Sequence, residues 1–216
     1  MPPEQQGDTY AELARALPFA DRAQALTLGR ARRAVVRILA AHGARTVLDM
    51  CCGTGAQARM LAQAGMDVTG LDGSHTMLAR ARALGGGPHY MAMEGETLNV
   101  ANSFDGAITS LALHEMPPGV REEVWRAMRR AVRPGGLLIA MDYSPQPRPT
   151  LLGRLARKIV DADERSFAKV HLPHYENYLA FMAEGGLAGW LTTVGETPRN
   201  DRRFLFGNLA VLDVMT

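Results

Sequence analysis

The sequence predicts a single α/β domain in which helices cover both faces of a parallel β-sheet. Short apolar segments alternate with helical segments, and each apolar segment is a near-continuous hydrophobic run, as in strands buried on both faces. A chain of 216 residues is long enough for one such domain and too short for two. Hydrophobic residues make up 47% of the chain, which is enough to form the core of this domain.

The predicted elements alternate along the chain. Gly43, Gly65 and the Arg-Pro-Gly-Gly sequence at 133–136 mark helix ends, because glycine and proline interrupt helices. A proline-rich link at 145–149 leads to two further helical segments and a closing hairpin. Helices are predicted at 21–41, 56–64, 74–84 and 120–132, strands at 46–50, 67–71, 88–93, 104–111 and 137–141, and the hairpin strands at 190–194 and 204–212.

Composition and charge exclude several classes of protein. The net charge is +2 and no basic stripe with interleaved aromatic residues occurs, so no nucleic-acid partner is expected. No apolar run approaches the roughly 20 residues needed to cross a bilayer, and residues 1–7 lack the apolar core of a signal peptide. These features predict a cytoplasmic protein. No feature indicates an oligomeric state.

The segment 47–55 combines a strand, a loop of small residues and the start of a helix. Gly53 and Gly55 let a ligand approach the backbone at the carboxyl end of a parallel strand. The segment 53–58 also fits the G-x-G-x-x-A pattern, so an NAD-linked oxidoreductase is an alternative interpretation. Asp49 argues against it, because a carboxylate here repels a pyrophosphate and attracts an amino group and a sulfonium. The loop therefore favours S-adenosyl-L-methionine.

Acidic residues after the next two strands indicate an adenosine ligand. Asp72 ends the second strand, where a carboxylate accepts hydrogen bonds from both ribose hydroxyls. Dinucleotide enzymes carry an acid at the same point, so Asp72 does not discriminate between the two cofactors. Glu94 and Glu96 follow the third strand, where they either reach the adenine edge or are solvated loop acids.

These segments resemble the motifs of class I S-adenosylmethionine-dependent methyltransferases. Residues 47–55 are similar to the first motif, V-L-D-x-G-C-G-T-G, and residues 94–98 to the D-A-E-x-L segment. Residues 70–74 with Met77 and Leu78 resemble the second motif, and residues 133–136 resemble the turn into the fifth strand. Together the motifs span about 46–143. Residues 13–33 and 142–144 resemble the quinone- and lipid-methylating branch, which includes the type 11 methyltransferases.

The resemblance implies a Rossmann-like sheet of seven strands in the order 3-2-1-4-5-7-6, with strand 7 antiparallel. It implies an N-terminal helical segment at 1–45 that covers the cofactor site, with Tyr10 in it, and a methyltransferase domain at 46–216 with a helical substrate-side insert at about 146–186. It also implies the cofactor contacts. Asp49, Gly53, Gly55 and the carbonyl of Ser110 or Leu111 would hold the methionine part, Asp72 the ribose, and Glu94, Gly95 and Glu96 the adenine, with Gly73 and Met77 packing nearby.

Cys51 departs from the family pattern within the cofactor loop. It stands where the family usually has its first loop glycine. A cysteine cannot adopt a positive φ there without strain. Because some quinone-methylating members also lack this glycine, Cys51 is interpreted as a variant of a working cofactor loop.

Groups after the fourth and fifth strands lie closest to the transferred methyl group in this fold. His114 is the first candidate for a base or orienting group, because its unperturbed pKa lies near neutrality. The alternative is that His114 only caps the strand or covers the cofactor. Tyr143 is the second catalytic candidate. His171 and His174 lie three residues apart, but no third ligand accompanies them at metal-ligand spacing, so no metal is predicted.

The predicted function is methyl transfer from S-adenosyl-L-methionine to a small-molecule acceptor, with a lipid or quinone-like acceptor suggested by the branch resemblance. A non-catalytic protein that binds the same cofactor is a further alternative. Residues 151–160 form a basic amphipathic helix, which either packs its apolar face on its own domain or makes peripheral contact with a membrane.

Overall fold

A computed structural model describes residues 17–168 and 171–216, which form a seven-stranded sheet with flanking helices. The strands are β1 (Thr46–Met50), β2 (Asp67–Asp72), β3 (His89–Ala92), β4 (Phe104–Ser110), β5 (Val132–Tyr143), β6 (Asn200–Phe204) and β7 (Leu209–Met215). The helices are α1 (Leu17–His42), α2 (Ala56–Gln63), α3 (His75–Leu84), α4 (Pro118–Ala131), α5 (Leu151–Phe167), α6 (Leu172–Ala183) and α7 (Gly186–Thr193).

The strand order is β3-β2-β1-β4-β5-β7-β6, which confirms the predicted topology. β1 pairs in parallel with β2 on one side and with β4 on the other, and only β7 pairs in antiparallel fashion with its two neighbours. The chain order therefore reverses between β1 and β4. In open α/β sheets, ligands bind at the carboxyl ends of strands at such a reversal.

The central strands are buried on both faces. Val47, Leu48, Asp49 and Met50 are consecutive in β1, and all four are buried, although successive strand residues point to opposite faces. Helices must therefore cover both sides of β1. This burial confirms the layered α/β architecture, and it places the Asp49 carboxyl in an environment from which water is excluded.

Two element assignments differ from the prediction. Residues 190–194 were predicted as a hairpin strand, but Trp190 begins the last turn of α7, and the hairpin consists of β6 and β7. Trp190 is buried against Trp125, with ring centroids 5.7 Å apart, so helix packing outweighs the local β-propensity. β5 begins at Val132 rather than 137 and runs through the glycine-rich turn, where its register with β4 shifts.

The segments around the sheet are described in part. α1 begins at Leu17, and Tyr10 lies outside the described residues, so the covering role of segment 1–45 stays a prediction. α5 and α6 occupy the predicted insert at 146–186. No helix among the described residues combines the length and the apolar character that crossing a membrane requires.

The apolar face of α5 is open to solvent among the described residues. Leu151, Leu155 and Ile159 are 81%, 57% and 65% exposed, and the neighbouring Leu152 is 56% exposed. The exposed cations Arg154 and Lys158 lie on the same helix. Among the described residues these four side chains do not pack on the domain, whereas Val160 on the same face packs against the core.

Asp105 joins the amino ends of three sheet segments. Its Oδ2 accepts hydrogen bonds from the backbone N–H groups of Arg45 and Thr46, both at 2.8 Å, and its Oδ1 lies 2.7 Å from Arg133 Nη1. The Thr46 and Arg45 N–H groups hold the pKa of Asp105 below its usual value. This one carboxylate therefore fixes the start of β1 against β4 and β5.

We expect Asp105→Asn to lower the free energy of unfolding by about 1–3 kcal/mol at pH 7, because charged hydrogen bonds are lost. A carboxyl with a lowered folded pKa stabilises above its unfolded pKa, so the difference from wild type shrinks as acid protonates Asp105. Urea denaturation at pH 7 and at pH 3, below the unfolded pKa of an aspartate, measures both values. Asp67→Asn, at the exposed start of β2, is the matched control, and an equal effect in both variants contradicts the assignment.

Candidate active site

The loop between β1 and α2 is built from residues in left-handed conformations. Cys51, Gly53 and Gly55 have φ values of 57°, 53° and 73°, which turn the chain sharply from the strand into the helix. The loop is anchored where the Cys52 N–H donates to the Leu71 carbonyl at 2.9 Å. A side chain on Gly55 would collide with the Tyr90 hydroxyl, so this position requires glycine for space as well as for φ.

Backbone strain flanks the point where the strand order reverses. Cys51 has the positive φ that the sequence analysis associated with strain, so the cysteine occupies the family's glycine position in the glycine conformation. Leu111, at the end of β4, also has a left-handed φ of 54°. A left-handed conformation at a residue other than glycine lowers the free energy of unfolding by about 1 kcal/mol or more, and strain of this kind concentrates at functional sites. These two residues follow the two strands between which a ligand is expected.

Asp49 is a buried carboxyl group without a hydrogen-bond partner among the described residues. It is 1% exposed, and both side-chain oxygens lack a partner of hydrogen-bond geometry. Burial raises the pKa of Asp49 to about 7, although the Ala58 backbone N–H and the charge of Arg32 oppose the rise. Leaving a carboxylate in this state is costly unless a cation reaches it. A ligand amino group is such a cation.

Further buried polar side chains lie at the ends of the same central elements. The Gln57 amide, the Thr109 hydroxyl and the Ser110 hydroxyl are buried and have no hydrogen-bond partner among the described residues. Gln57 belongs to the first turn of α2, and the other two end β4. Native structures leave few such groups unpaired. Together with Asp49 they fit the amino and carboxylate groups of the methionine part of S-adenosyl-L-methionine.

Asp72 connects the two loops of the predicted adenosine site. Its Oδ2 accepts from the Gly53 N–H at 2.7 Å, and its Oδ1 accepts from the Ser74 N–H at 2.8 Å. Ser74 in turn caps α3 by accepting from the Met77 N–H at 3.1 Å, which fixes Met77 in the first turn. Asp72 lies at the end of β2, which is the position predicted for the carboxylate that accepts from ribose hydroxyls.

The predicted adenine residues lie beside Asp72. The Glu94 carboxylate packs against Gly73 so closely that a side chain at 73 would overlap it. Burial raises the pKa of Glu94, and the charges of Glu96 and Asp72 raise it further. Gly95 is buried, and a side chain there would press on Met50. The structure thus brings Glu94 and Gly73 together, while Glu96 takes part through its charge.

His114 lies in a cluster of ionisable groups at the ends of β4 and β5. Its Nδ1 is 2.7 Å from Asp142 Oδ1, and its backbone N–H donates to Asp142 Oδ2 at 3.2 Å. Its Nε2 faces Glu115 and Glu164 at 3.8 Å and 3.6 Å. Glu164 Oε2 is 2.8 Å from His174 Nε2. The aromatic rings of Tyr143, Tyr178 and Phe181 surround His114, with centroids 4.9–6.5 Å from it.

The charge around His114 bears on its predicted role. Burial disfavours its charged form, but Asp142, Glu164 and Glu115 together raise the pKa of His114 to about 9. An imidazole with this pKa is protonated at neutral pH and does not accept a proton. The environment therefore favours the orienting role over the base role. Burial raises the pKa of Tyr143, whose hydroxyl hydrogen-bonds Glu164, so this phenol stays protonated.

Glu164 is absent from the site predicted from the sequence, and the His174 ring does not pair with His171. His171 caps α6 by accepting from the His174 N–H at 3.2 Å, whereas the His174 ring points to Glu164 of α5 and to Glu115. His114, Glu164 and His174 each offer a ligand atom, and these atoms lie within 4.8 Å of one another. The i, i+10 relation between Glu164 and His174 depends on how α5 packs on α6, which no local pattern reveals.

We expect Asp49→Asn to change how stability depends on pH in the protein without cofactor. A carboxyl whose pKa rises on folding, here from 3.8 to about 7, destabilises the fold as pH increases through this window. Between pH 5 and pH 8, wild type should lose about 2–3 kcal/mol more unfolding free energy than the variant. Urea denaturation at the two pH values measures this. Asp67→Asn should behave as wild type, and parallel curves for Asp49→Asn and wild type would refute the assigned burial.

Comparison with known proteins links this geometry to a family. A family model described as a methyltransferase domain matches residues 47–136. A demethylmenaquinone methyltransferase of Paenarthrobacter aurescens is 30% identical over 191 residues, which cover 83% of this chain and 73% of the relative. A demethylmenaquinone methyltransferase of Desulfitobacterium hafniense is 34% identical over 135 residues, covering 56% of this chain and 50% of the relative. The chain spans about half the length of the first curated relatives it matches.

A solved structure supports the fold. The structure of magnesium protoporphyrin IX methyltransferase from Synechocystis, with bound SAH, aligns with 86% of this chain and over 82% of its own length. The TM-score is 0.59 and the sequence identity is 20%. The sheet order, the cofactor loop and a relative aligned over most of both chains agree. The chain belongs to the class I S-adenosylmethionine-dependent methyltransferases.

Proposed function

We propose that the chain transfers the methyl group of S-adenosyl-L-methionine to a small aromatic acceptor of the quinol type. The observation that carries the choice of methyl donor is the buried, unpartnered carboxyl of Asp49 at the carboxyl end of β1. A pyrophosphate would add a second negative charge beside it, whereas the cofactor of this family brings an amino group and a sulfonium. Family membership sets the NAD-linked oxidoreductase aside.

The chain's own residues have distinct parts in binding. Asp49 pairs with the cofactor's amino group, and the Ser110 and Thr109 hydroxyls bind near its carboxylate. Asp72 accepts from the ribose hydroxyls while it holds the Gly53 loop in place. Glu94 reaches the adenine edge. When bound, the cofactor supplies an electrophilic methyl group, and the protein's main task is to align an acceptor with it.

The acceptor side is aromatic and acidic. Tyr143, Tyr178 and Phe181 pack around His114 and are buried with it, and a planar aromatic acceptor would bind against this aromatic cluster. Two relatives that align with the chain carry the name demethylmenaquinone methyltransferase, which supports a quinol-like acceptor. His114 and Tyr143 are proposed to orient the acceptor hydroxyl by hydrogen bonds. A cytoplasmic location stays a prediction of the sequence analysis.

The activity is tested with labelled cofactor and a panel of naphthoquinols, phenols and aminophospholipids. We expect methyl transfer to a naphthoquinol. We also expect the Asp72→Ala variant to bind S-adenosyl-L-methionine at least about tenfold more weakly than wild type does. Cofactor binding without transfer to any acceptor would favour the non-catalytic alternative. Binding of NAD in preference to S-adenosyl-L-methionine would contradict the proposal outright.

We expect His114→Asn to lower kcat about 100-fold and Tyr143→Phe about tenfold, with cofactor affinity unchanged within about threefold, because both groups act on the acceptor. Because His114 is buried on Asp142, thermal unfolding must accompany the kinetics. Tyr143→Phe removes only a hydroxyl and provides the milder test. Full turnover in both folded variants would refute the orienting role.

The exposed face of α5 supports a further part of the proposal, which is peripheral contact with an anionic membrane. Leu151, Leu155 and Ile159 present apolar surface, and Arg154 and Lys158 supply cations beside it. Helices of this kind lie at the lipid headgroup boundary. A lipid-soluble quinol would be reached from such a position.

We expect the double variant Leu151→Glu/Leu155→Glu to bind vesicles of phosphatidylglycerol and phosphatidylcholine at least about tenfold more weakly than wild type. The reason is that two exposed leucines, which would be buried in the lipid on binding, are lost. Vesicle co-sedimentation measures this. Leu84→Glu changes an exposed leucine at the end of α3 and should bind as wild type does. Wild type that stays in the supernatant would contradict membrane contact.

A further inference from the structure

Two histidines and two glutamates converge where α5 and α6 pack over the carboxyl edge of the sheet. His114 Nε2 lies 3.6 Å from Glu164 Oε1 and 3.8 Å from Glu115 Oε1. His174 Nδ1 lies 3.7 Å from Glu115 Oε2, and His174 Nε2 lies 2.8 Å from Glu164 Oε2. Three of these separations exceed hydrogen-bond length. One ligand atom from each of His114, Glu164 and His174 lies within 4.8 Å of the other two, so these side chains could close on one ion with ligand distances of about 2.1 Å.

The histidine ligand atom is held in position by a carboxylate behind it. Asp142 Oδ1 binds His114 Nδ1 at 2.7 Å, which directs Nε2 toward Glu164 and Glu115. Asp142 also accepts from the Tyr143 N–H at 2.7 Å, so the carboxylate itself is fixed. Metal-binding histidines almost always donate their second ring nitrogen to such a partner. The cluster therefore has the support that a ligand set requires.

The cluster carries more negative charge than its imidazoles balance. Asp142 and Glu164 are buried and Glu115 is half-buried, and even two protonated imidazoles leave one negative charge. The buried cation Arg121 also acts on Asp142 through its charge, but its hydrogen bonds go to the Leu113 and Met116 carbonyls and to Glu184. Buried charges of one sign are stable only when they are paired or when they bind metals.

We propose that His114, Glu164 and His174 bind one divalent first-row transition-metal ion of the Zn²⁺ type, with the Glu115 carboxylate beside it. Two imidazole nitrogens disfavour Mg²⁺ and Ca²⁺, which prefer oxygen ligands, and suit Zn²⁺, Co²⁺ and Fe²⁺. The ligands come from three different segments, which are the turn after β4 and the helices α5 and α6. The site therefore forms only in the folded protein.

The site lies next to the cofactor loop. Burial raises the pKa of the Cys51 thiol, and the charges of Asp72 and Glu115 raise it further, which sets Glu115 within electrostatic reach of the cofactor loop. A metal held here would bind the acceptor's hydroxyl oxygen and lower its pKa, and His114 would then orient the acceptor through the metal instead of by a direct hydrogen bond. That role rests on the proposed function, but metal binding itself does not, and it can be tested without cofactor or acceptor.

The test is titration of chelator-treated, full-length protein with Co²⁺ and Zn²⁺. We expect one equivalent of Co²⁺ with visible d–d absorption, displacement by Zn²⁺ in calorimetry, and a higher melting temperature with either metal. Metal binding should release protons, because the imidazole ligands must be neutral. His174→Ala and Glu164→Gln should each weaken binding at least about 100-fold, and Asp142→Asn about 10- to 100-fold.

His89→Ala, on the exposed edge strand β3, is the matched control and should bind as wild type does. Glu164→Gln keeps the side-chain shape, so it tests the site even if His174→Ala fails to fold. Substoichiometric Co²⁺ binding by folded wild type would overturn the proposal, as would undiminished binding in folded Glu164→Gln. Metal binding without methyl transfer would instead contradict the proposed function alone.

Discussion

Asp49 sits at the end of β1, buried on both sides of the sheet and next to the point where the strand order reverses. Because helices cover both faces there, neither carboxylate oxygen reaches water or a hydrogen-bond donor of suitable geometry. The left-handed turn through Cys51 carries the backbone away from the strand direction directly after Asp49 and Met50. The fold therefore maintains a carboxyl group that only a cationic ligand satisfies, and this requirement selects the methyl donor.

The same shortage of cations extends from the cofactor side to the acceptor side. Asp72 and Glu94 surround the adenosine region, and Glu115 and Glu164 surround His114. Arg121, which is buried close to the second group, is saturated by carbonyls and by Glu184. A sulfonium cofactor and a divalent metal would balance the two groups separately. The acidic residues on both sides therefore serve to bind cations, and none of them has to act as a base in the reaction.

The central sheet and the cofactor loop were readable from the sequence because their signals are local. β1 matches its predicted range of 46–50 without change, and Asp49, Asp72 and Gly55 lie where the strand-loop-helix pattern puts them. The errors arose where distant packing decides the outcome. Residues 190–193 are helical because Trp190 packs on Trp125, and Glu164 meets His174 only because α5 lies on α6. The positive φ of Cys51 likewise opposes the local preference of a cysteine.

The central claim is that a cationic cofactor pairs with a carboxyl that is largely protonated beforehand. Calorimetric titration with S-adenosyl-L-methionine at pH 6, in buffers of different ionisation enthalpy, measures the protons exchanged on binding. Since the pKa of Asp49 is about 7 before binding, pairing should release about one proton at pH 6. Binding with no proton release, or with proton uptake, would contradict the account.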